Sequence, residues 1–293
     1  GWLEDINISV RPKPGSDMGP AEAPNPLPES PGQSLRVLKD VLIAPFNRPE
    51  AVEEIFARHS GQIAALILEP IPANNGVMPP KEGFLETLRR LTRQHACLLI
   101  FDETITGFRV GLGGAQEYYN VLPDLTVFGK GLGGGYPIAG FGGTREIMDL
   151  IAQKKIPHGG TYNSNSLCVA AANAVMAELK RDHGAVFERM TTLGRRLMDG
   201  LREVFSRHGI PVTTQGPGPF FSAYLTETPL ETYRDVFVLD DELYQRFWTG
   251  LLERRVRILG TSRALWLLSA AHTAEDVDKT LERVDEVAAG LKK

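Results

Sequence analysis

Two residues of this chain have types and positions that could carry chemistry, Asp102 and Lys130. Residues 97–101 and 125–128 are short apolar runs with the β-branched and aromatic content of buried strands. Asp102 follows the first run directly, and Gly129 and Lys130 follow the second. Ligands of an open α/β sheet bind outside the carboxyl ends of its strands. If the two runs are parallel neighbours, the carboxylate and the amine therefore face one crevice.

A carboxylate and an amine in one crevice are the groups that pyridoxal phosphate chemistry needs. The amine forms a Schiff base with the cofactor aldehyde, and the carboxylate keeps the pyridine nitrogen protonated, so that the ring accepts electrons. A lysine released from the cofactor can also carry a proton between carbon atoms. The sequence predicts these roles for Lys130 and Asp102. The alternatives are a surface lysine after a strand, and an aspartate that caps a helix or forms an ion pair.

The surrounding patterns predict the elements that position these two residues. Strands are predicted at 36–43 and 63–68, the latter buried, and helices at 49–59 and 82–95, where apolar residues recur at helical spacing. Asn47 is predicted to cap the first of these helices. The order strand, helix, strand, helix, strand is typical of a parallel sheet with crossover helices.

The rest of the chain is predicted to add a small α+β unit after a boundary near 183–184. Further helices are predicted at 145–152, 166–181, 186–208, 240–255 and 274–291, and strands at 138–141, 212–214, 220–225, 256–259 and 266–268. Thr273 and Asp276 have the spacing of a capping box. Residues 12–31 contain seven prolines and are predicted to form an extended loop. The expected fold class is α/β, with a mainly parallel sheet.

Composition and charge restrict the classes of function. The 293 residues carry a formal net charge of −4, which argues against a nucleic-acid-binding surface, since such surfaces are usually basic. No apolar run approaches the roughly 20 residues of a membrane-spanning helix, and residues 1–10 lack the pattern of a signal peptide. Cys97 and Cys168 indicate no disulfide framework. We therefore expect a cytoplasmic protein.

Two other kinds of site, for a nucleotide and for a metal ion, are each judged from a single motif. Residues 129–135, GKGLGGG, would suit a phosphate- or nucleotide-binding module, but the lysine is not followed by the hydroxyl residue of a P-loop. His158 and His183 have no metal-ligand spacing with a cysteine or another histidine, so no metal site is predicted.

Several motifs in order make the chain resemble a known family. The longest are FDETITGFR at 101–109 and GKGLGGGYPIAGFGG at 129–143, and the others are LPESPG, APFN, LILEPIPANNGV, GTYN and SAAHT. Together they resemble the class III pyridoxal-phosphate-dependent aminotransferases, most of all the glutamate-1-semialdehyde 2,1-aminomutase branch. The resemblance covers nearly the whole chain. It implies the fold type I architecture of these transferases, pyridoxal 5'-phosphate as cofactor, and the roles of Lys130 and Asp102 stated above.

The resemblance also implies cofactor-binding roles for four further residues. Thr104 would pack on the cofactor ring, and Glu69 and Asn74 would line the pocket near the lysine. Thr161, within GTYN, would reach the cofactor phosphate of the neighbouring subunit, which implies a homodimer with shared active sites. Without the resemblance, Thr161 is equally well read as a helix cap, and Glu69 and Asn74 as ordinary loop residues.

The family pattern has elements that would precede this chain. A phosphate-binding loop and an aromatic residue that stacks on the cofactor come before a His-Gly pair, and Gly1 resembles that glycine. We therefore expect residues 1–183 to be the remainder of the large cofactor-binding domain and residues 184–293 to be the small C-terminal domain. We also expect this fragment to bind the cofactor weakly or not at all by itself.

The chain departs from the family pattern at two places. Ser164 and Ser166 replace a glycine and a proline of the family, and Arg263 and Ala264 lie near the place of an aminomutase glutamate. The hypothesis is therefore amino-group transfer on a small amino or keto substrate, with aminomutase and aminotransferase both open. The alternative is a non-catalytic, truncated member that serves as a partner or scaffold.

Overall fold

A four-stranded sheet forms the frame of the first part of the chain. The computed structural model describes residues 6–263 and 265–291, so Gly1 and Ala264 lie outside it. The sheet has the order β1 (Ala65–Leu68), β2 (Leu98–Asp102), β3 (Leu125–Phe128) and β4 (Gly140–Gly143). β1, β2 and β3 are parallel, and β4 runs antiparallel to β3. The strands before Asp102 and Lys130 are parallel neighbours, so the condition for one shared crevice is met.

Each of the seven predicted helices is present, with ends within two residues of the prediction. The helices are α1 (Pro49–Arg58), α2 (Phe84–Gln94), α3 (Gly114–Tyr118), α4 (Arg145–Ala152), α5 (Ser166–Lys180), α6 (Ala185–Arg207), α7 (Asp241–Glu253) and α8 (Ala274–Leu291). Short 3₁₀ turns occupy Val37–Lys39, Lys130–Gly133, Arg181–Gly184 and Tyr233–Val238. Only the short α3 was not predicted. None of the described helices is long and apolar enough to cross a membrane.

The first sheet is covered by helices whose apolar spacing matches the helical period. Phe84, Leu85 and Leu88 of α2 are buried, and they pack in one cluster with Leu99 and Phe101 of β2. These two strand residues are two positions apart and share one face of the sheet. The apolar stripe of α2 therefore holds β2 in place, and with it the position of Asp102.

A second, antiparallel sheet forms the core of the C-terminal part. It has the order β5 (Thr213–Gln215), β6 (Phe220–Tyr224) and β7 (Leu265–Leu267), and all five residues of β6 are buried. α6, α7 and α8 supply the rest of this core. The capping box of α8 is present, because the Thr273 N–H donates to Asp276 Oδ2 at 2.8 Å and the Asp276 N–H donates to Thr273 Oγ1 at 3.3 Å. The domain bounds 1–183 and 184–293 stay a prediction.

Two predicted strands are wrong. Residues 36–43 contain the turn Val37–Lys39, and none of them is buried, so the apolar run there has no sheet to join. Residues 256–259 form no strand in the described part of the chain, and side chains of α7 bond to two of their carbonyl groups. The Trp248 indole donates to Ile258 O at 3.1 Å, and the Tyr244 hydroxyl donates to Leu259 O at 2.7 Å.

Two smaller predictions also need correction. Arg48, not Asn47, is the residue before α1. The buried Asn47 side chain instead donates to Pro79 O and accepts from the Lys81 N–H, at 3.1 and 2.8 Å, so it ties two loops together. The strand β1 is also less buried than predicted, because it lies at the end of the described sheet and Ile67 is 52% exposed.

Candidate active site

The carboxyl ends of three parallel strands bring the predicted residues together. Glu69 follows β1, Asp102 ends β2, and Lys130 lies two residues beyond β3. Leu68 pairs with Phe101, so the positions of Glu69 and Asp102 are neighbours on adjacent strands. The charges of Asp102 and Lys130 both act on the Glu69 carboxyl. The edge of the sheet formed by the carboxyl ends of its parallel strands therefore carries two carboxyl groups and an amine. Ligands of open α/β sheets bind at this edge.

Lys130 lies in an unusual backbone conformation. Its φ is +39°, in the left-handed region that non-glycine residues seldom occupy, and it begins the turn Lys130–Gly133. The turn packs on α5, where a Cβ added to Gly134 would lie 2.7 Å from Val175 Cγ2. The exposed Lys130 amine forms no hydrogen bond or ion pair within the described part of the chain. A strained backbone that presents an unpaired amine is typical of a functional lysine.

Asp102 is held by its own loop. Its Oδ1 accepts the Thr104 backbone N–H at 3.0 Å, and among residues 6–263 and 265–291 no cation lies within ion-pair distance of it. Thr104 in turn lies beside the turn of Lys130, because a Cβ added to Gly129 would lie 3.2 Å from Thr104 Cγ2. The threonine therefore stands between the carboxylate and the lysine.

The half-buried Glu69 has one polar group and three charges close by. Its Oε2 accepts the Ala73 N–H at 3.2 Å. Burial raises the pKa of this carboxyl to about 7, with a further rise from Asp102, while the Ala73 N–H, Lys130 and Arg11 lower it. Strongly perturbed carboxyl groups in clefts are characteristic of functional sites.

Asn74 and Thr161 are not joined to this group in the structure. Asn74 is exposed, and its neighbour Asn75 makes the specific contact instead, donating to Val10 O at 2.9 Å. Thr161 lies in an exposed turn and forms no hydrogen bond among the described residues. The structure thus brings together four of the six predicted site residues, and the roles of all six stay predictions.

Sequence reasoning gave no role to Glu103, which the structure makes central to the loop after β2. The side chain is fully buried, and it accepts hydrogen bonds from Thr106 Oγ1, the Ala115 N–H and the Gln116 N–H, at 2.8, 2.6 and 2.9 Å. A Cβ at Gly114 would overlap the Glu103 carboxylate. The signal in the sequence was the glycine pair at 113–114, which permits this close approach.

The residues at this edge fit a pyridoxal cofactor. The donor set consists of one unpaired primary amine, one carboxylate without a cation, and a threonine between them. The aldehyde of the cofactor forms a Schiff base with an amine, and a carboxylate keeps its ring nitrogen protonated. The chemistry of the donor set therefore matches both reactive ends of that group.

The fold and this donor set define a class of protein, the pyridoxal-phosphate-dependent transferases of fold type I. A profile of the family described as Aminotransferase class-III matches residues 27–281. The chain therefore belongs to the class-III aminotransferases, and the resemblance inferred from the motifs is confirmed.

Several curated proteins are similar to the chain. Proteins named glutamate-1-semialdehyde 2,1-aminomutase from Thermomicrobium roseum and Alkaliphilus oremlandii are each 40% identical, over 257 and 263 residues. These alignments cover 87% and 89% of this chain but 59% and 61% of the relatives. The chain thus spans about three fifths of the length of the curated relatives that it matches.

Solved structures agree with this assignment. The structure of an omega-transaminase from Sphaerobacter thermophilus has a TM-score of 0.91 and 30% identity, and the match covers 100% of this chain and 66% of that one. A glutamate-1-semialdehyde-aminomutase from Pseudomonas aeruginosa PAO1 has a TM-score of 0.76 and 28% identity, covering 85% and 56%. The fold of the described residues is therefore that of the transaminases.

Proposed function

We propose that this chain takes part in pyridoxal-phosphate-dependent transfer of an amino group, with Lys130 as the residue that carries the cofactor. The observation that supports the proposal is the unpaired Lys130 amine at the same sheet edge as the Asp102 carboxylate. Membership of the class-III aminotransferases supports the same chemistry.

Each residue has a definite task in this proposal. The cofactor, when bound, supplies an aldehyde that takes up amino groups and a ring that accepts electrons. Lys130 would hold the cofactor through Nζ, and the same Nζ would take up and release a proton. The Asp102 carboxylate holds the proton on the ring nitrogen. Thr104 packs on the ring, and Glu69 and Asn74 line the pocket.

The substrate is proposed as a small amino or keto compound. Relatives named for glutamate-1-semialdehyde make an aminomutase reaction one form of this proposal. Arg263 lies near the place where the aminomutases are expected to carry a glutamate, and its Nη1 donates to Tyr233 Oη at 3.0 Å. A guanidinium in that place suits an aminotransferase with another substrate as well, so the proposal covers both reactions.

A homodimer with shared sites belongs to the same proposal. Every residue from 152 to 167 is exposed, and this segment contains Thr161 and the 86% exposed Tyr162. The segment leads into α5, which packs on the Lys130 turn. A second copy that covers this segment would receive Thr161 at its own cofactor phosphate. A cytoplasmic location is likewise retained as a prediction.

The test is the visible absorbance of the chain at saturating pyridoxal phosphate. We expect a band that is lost in Lys130→Ala and bleached by an amino compound. Lys154→Ala is the matched control, because Lys154 is also an exposed lysine with a left-handed φ, +58°. A band of equal strength in Lys130→Ala would contradict the proposal.

A further inference from the structure

The backbone at Lys130 needs support from outside its own turn. Its φ of +39° is in the left-handed region, and a non-glycine residue keeps such a conformation only when the surrounding structure holds it. The turn itself supplies one hydrogen bond beside the lysine, from the Leu132 N–H to Gly129 O at 2.9 Å. Gly129 and Gly131, which flank Lys130, have no side chains with which to fix it. The support must therefore come from a neighbouring element.

The loop after β2 contacts the backbone on both sides of Lys130. Before the lysine, a Cβ added to Gly129 would lie 3.2 Å from Thr104 Cγ2. After the lysine, a Cβ added to Gly131 would lie 3.6 Å from Phe108 Cβ and 3.7 Å from Phe108 O. Because both flanking residues are glycines, one loop lies directly against the main chain before and after the lysine.

Phe108 is the residue that ties this loop to its surroundings. The centroid of its ring lies 5.4 Å from that of Phe128, which is the last residue of β3 and lies two positions before Lys130. The Phe108 side chain also packs on a cluster of buried residues from α5 and α6, namely Leu179, Val186, Phe187 and Met190. Its own φ is +58°, a left-handed conformation that this packing holds in place. Phe108 therefore connects the end of β3, the Lys130 turn and two helices.

The rest of the loop and of the turn is fixed independently of Phe108. The Gly107 N–H donates to Glu103 O at 2.8 Å, and the Glu103 side chain has the hydrogen bonds described above. The far end of the turn has its own contact, because a Cβ added to Gly134 would lie 2.7 Å from Val175 Cγ2. Removal of the Phe108 ring should therefore free the near end of the turn and leave these other parts in place.

We propose that Phe108 is a positioning residue for Lys130, because it holds the lysine backbone in the left-handed conformation that presents Nζ at the sheet edge. Its ring fixes the end of β3 before the lysine, and its main chain supports Gly131 after the lysine. Without the ring, Lys130 turns to a negative φ, and its Nζ moves away from the edge that carries Asp102. The cofactor role of Lys130 rests on the proposed function, whereas the support of its backbone does not.

Amide hydrogen exchange of the chain without cofactor is the first test, with Phe108→Ala as the variant. We expect the Leu132 N–H to exchange about tenfold faster in this variant, which is the effect of losing one aromatic pair. The Leu99 N–H, which donates to Asp124 Oδ2 near the other end of β2, should keep its rate. Phe141→Ala is the matched control, because Phe141 is an exposed phenylalanine of the neighbouring strand β4, and it should change neither rate.

The second test is the ratio of labelling by pyridoxal phosphate at Lys130 and at Lys154. Each amine condenses with the aldehyde and releases water, borohydride reduces the new C=N bond, and peptide mass mapping gives the ratio. We expect the natural chain to favour Lys130, and Phe108→Ala to lower the ratio by a similar factor. Gly131→Ala, whose added Cβ would lie 3.3 Å from Gly107 O, should lower it too, so a second variant is at hand if Phe108→Ala does not fold.

Three results would overturn the proposal. One is an unchanged exchange rate of the Leu132 N–H in Phe108→Ala. Another is an equal rise for the Leu132 and Leu99 N–H groups, which would show only a general loss of stability. The third is a natural preference for Lys130 that persists in the variant. The proposed function fails separately: if the natural chain labels Lys130 no more than Lys154 while the Leu132 N–H responds as expected, the cofactor role of Lys130 is wrong and the support of its turn stands.

Discussion

The loop after β1 holds the half-buried Glu69 and the loop after β2 the fully buried Glu103, and the two loops surround their glutamates differently. Glu103 receives hydrogen bonds from a hydroxyl, two backbone N–H groups and the Gln116 amide. Glu69 receives one, from the Ala73 N–H. A carboxylate with several donors organises the structure around it, whereas a buried carboxyl with one donor keeps its proton more readily. The difference indicates that Glu103 serves the fold and Glu69 the site.

The largest effect is expected from Glu103→Ala. The change leaves the buried N–H of Ala115 and the part-buried N–H of Gln116 without their acceptor, and it opens a cavity. The free energy of unfolding should fall by about 4 kcal/mol, measured by chemical denaturation. Glu86→Gln, on the exposed face of α2, is the control and should change it by less than about 0.5 kcal/mol. An equal change in the free energy of unfolding for the two variants would contradict the structural role of Glu103.

The second prediction concerns the pH dependence that Glu69 contributes to stability. Burial raises its pKa to about 7 in the folded chain, above the unfolded value, so protonation stabilises the fold. This contribution is complete below the unfolded pKa and is lost as the pH rises through about 7. Glu69→Gln should therefore gain stability relative to the natural chain over that range, by at most about 3 kcal/mol. A difference between the two chains that is constant with pH would contradict this.

A smaller effect is expected from Gly114→Ala. Gly114 has a φ of +70°, and its added Cβ would overlap the Glu103 carboxylate. Gly83→Ala is the matched control, because Gly83 has a φ of +77° with nothing within 4 Å of the added Cβ. The control carries only the backbone strain, about 1 kcal/mol, and Gly114→Ala should cost about 2 kcal/mol or more in thermal or chemical unfolding. An equal loss of stability in the two variants would show that the Glu103 side chain moves away from the added Cβ without a measurable cost.

The smallest effect is expected from Thr106→Val. The change keeps the shape of a buried side chain and removes one of the four donors to Glu103. Because three donors remain, the free energy of unfolding should fall by about 1 kcal/mol. A loss as large as that of Glu103→Ala would mean that the hydroxyl alone holds the loop.

Many of the helices and strands could be predicted from the sequence, because they depend on local patterns. The apolar spacing of Phe84, Leu85 and Leu88 predicted α2 and its buried face, which the structure confirms. The apolar runs before Asp102 and Lys130 predicted two strands, which the structure confirms as β2 and β3. The apolar run at 256–259 led to a wrong strand prediction, because such a run becomes a strand only where a partner strand is free to pair with it.

The sequence by itself determined which chemistry is present and where along the chain it lies, since an amine or a carboxylate is a property of the residue and strand ends follow from local spacing. Only the tertiary structure decided how those groups are ionised and partnered. The pKa of Glu69 depends on its surroundings and on the charges of Asp102, Lys130 and Arg11, which are distant in sequence. The partners of Glu103 likewise come together only when the loop closes over it. The ionisation and the hydrogen-bond partners of a side chain depend on the groups around it, and the fold brings those groups together.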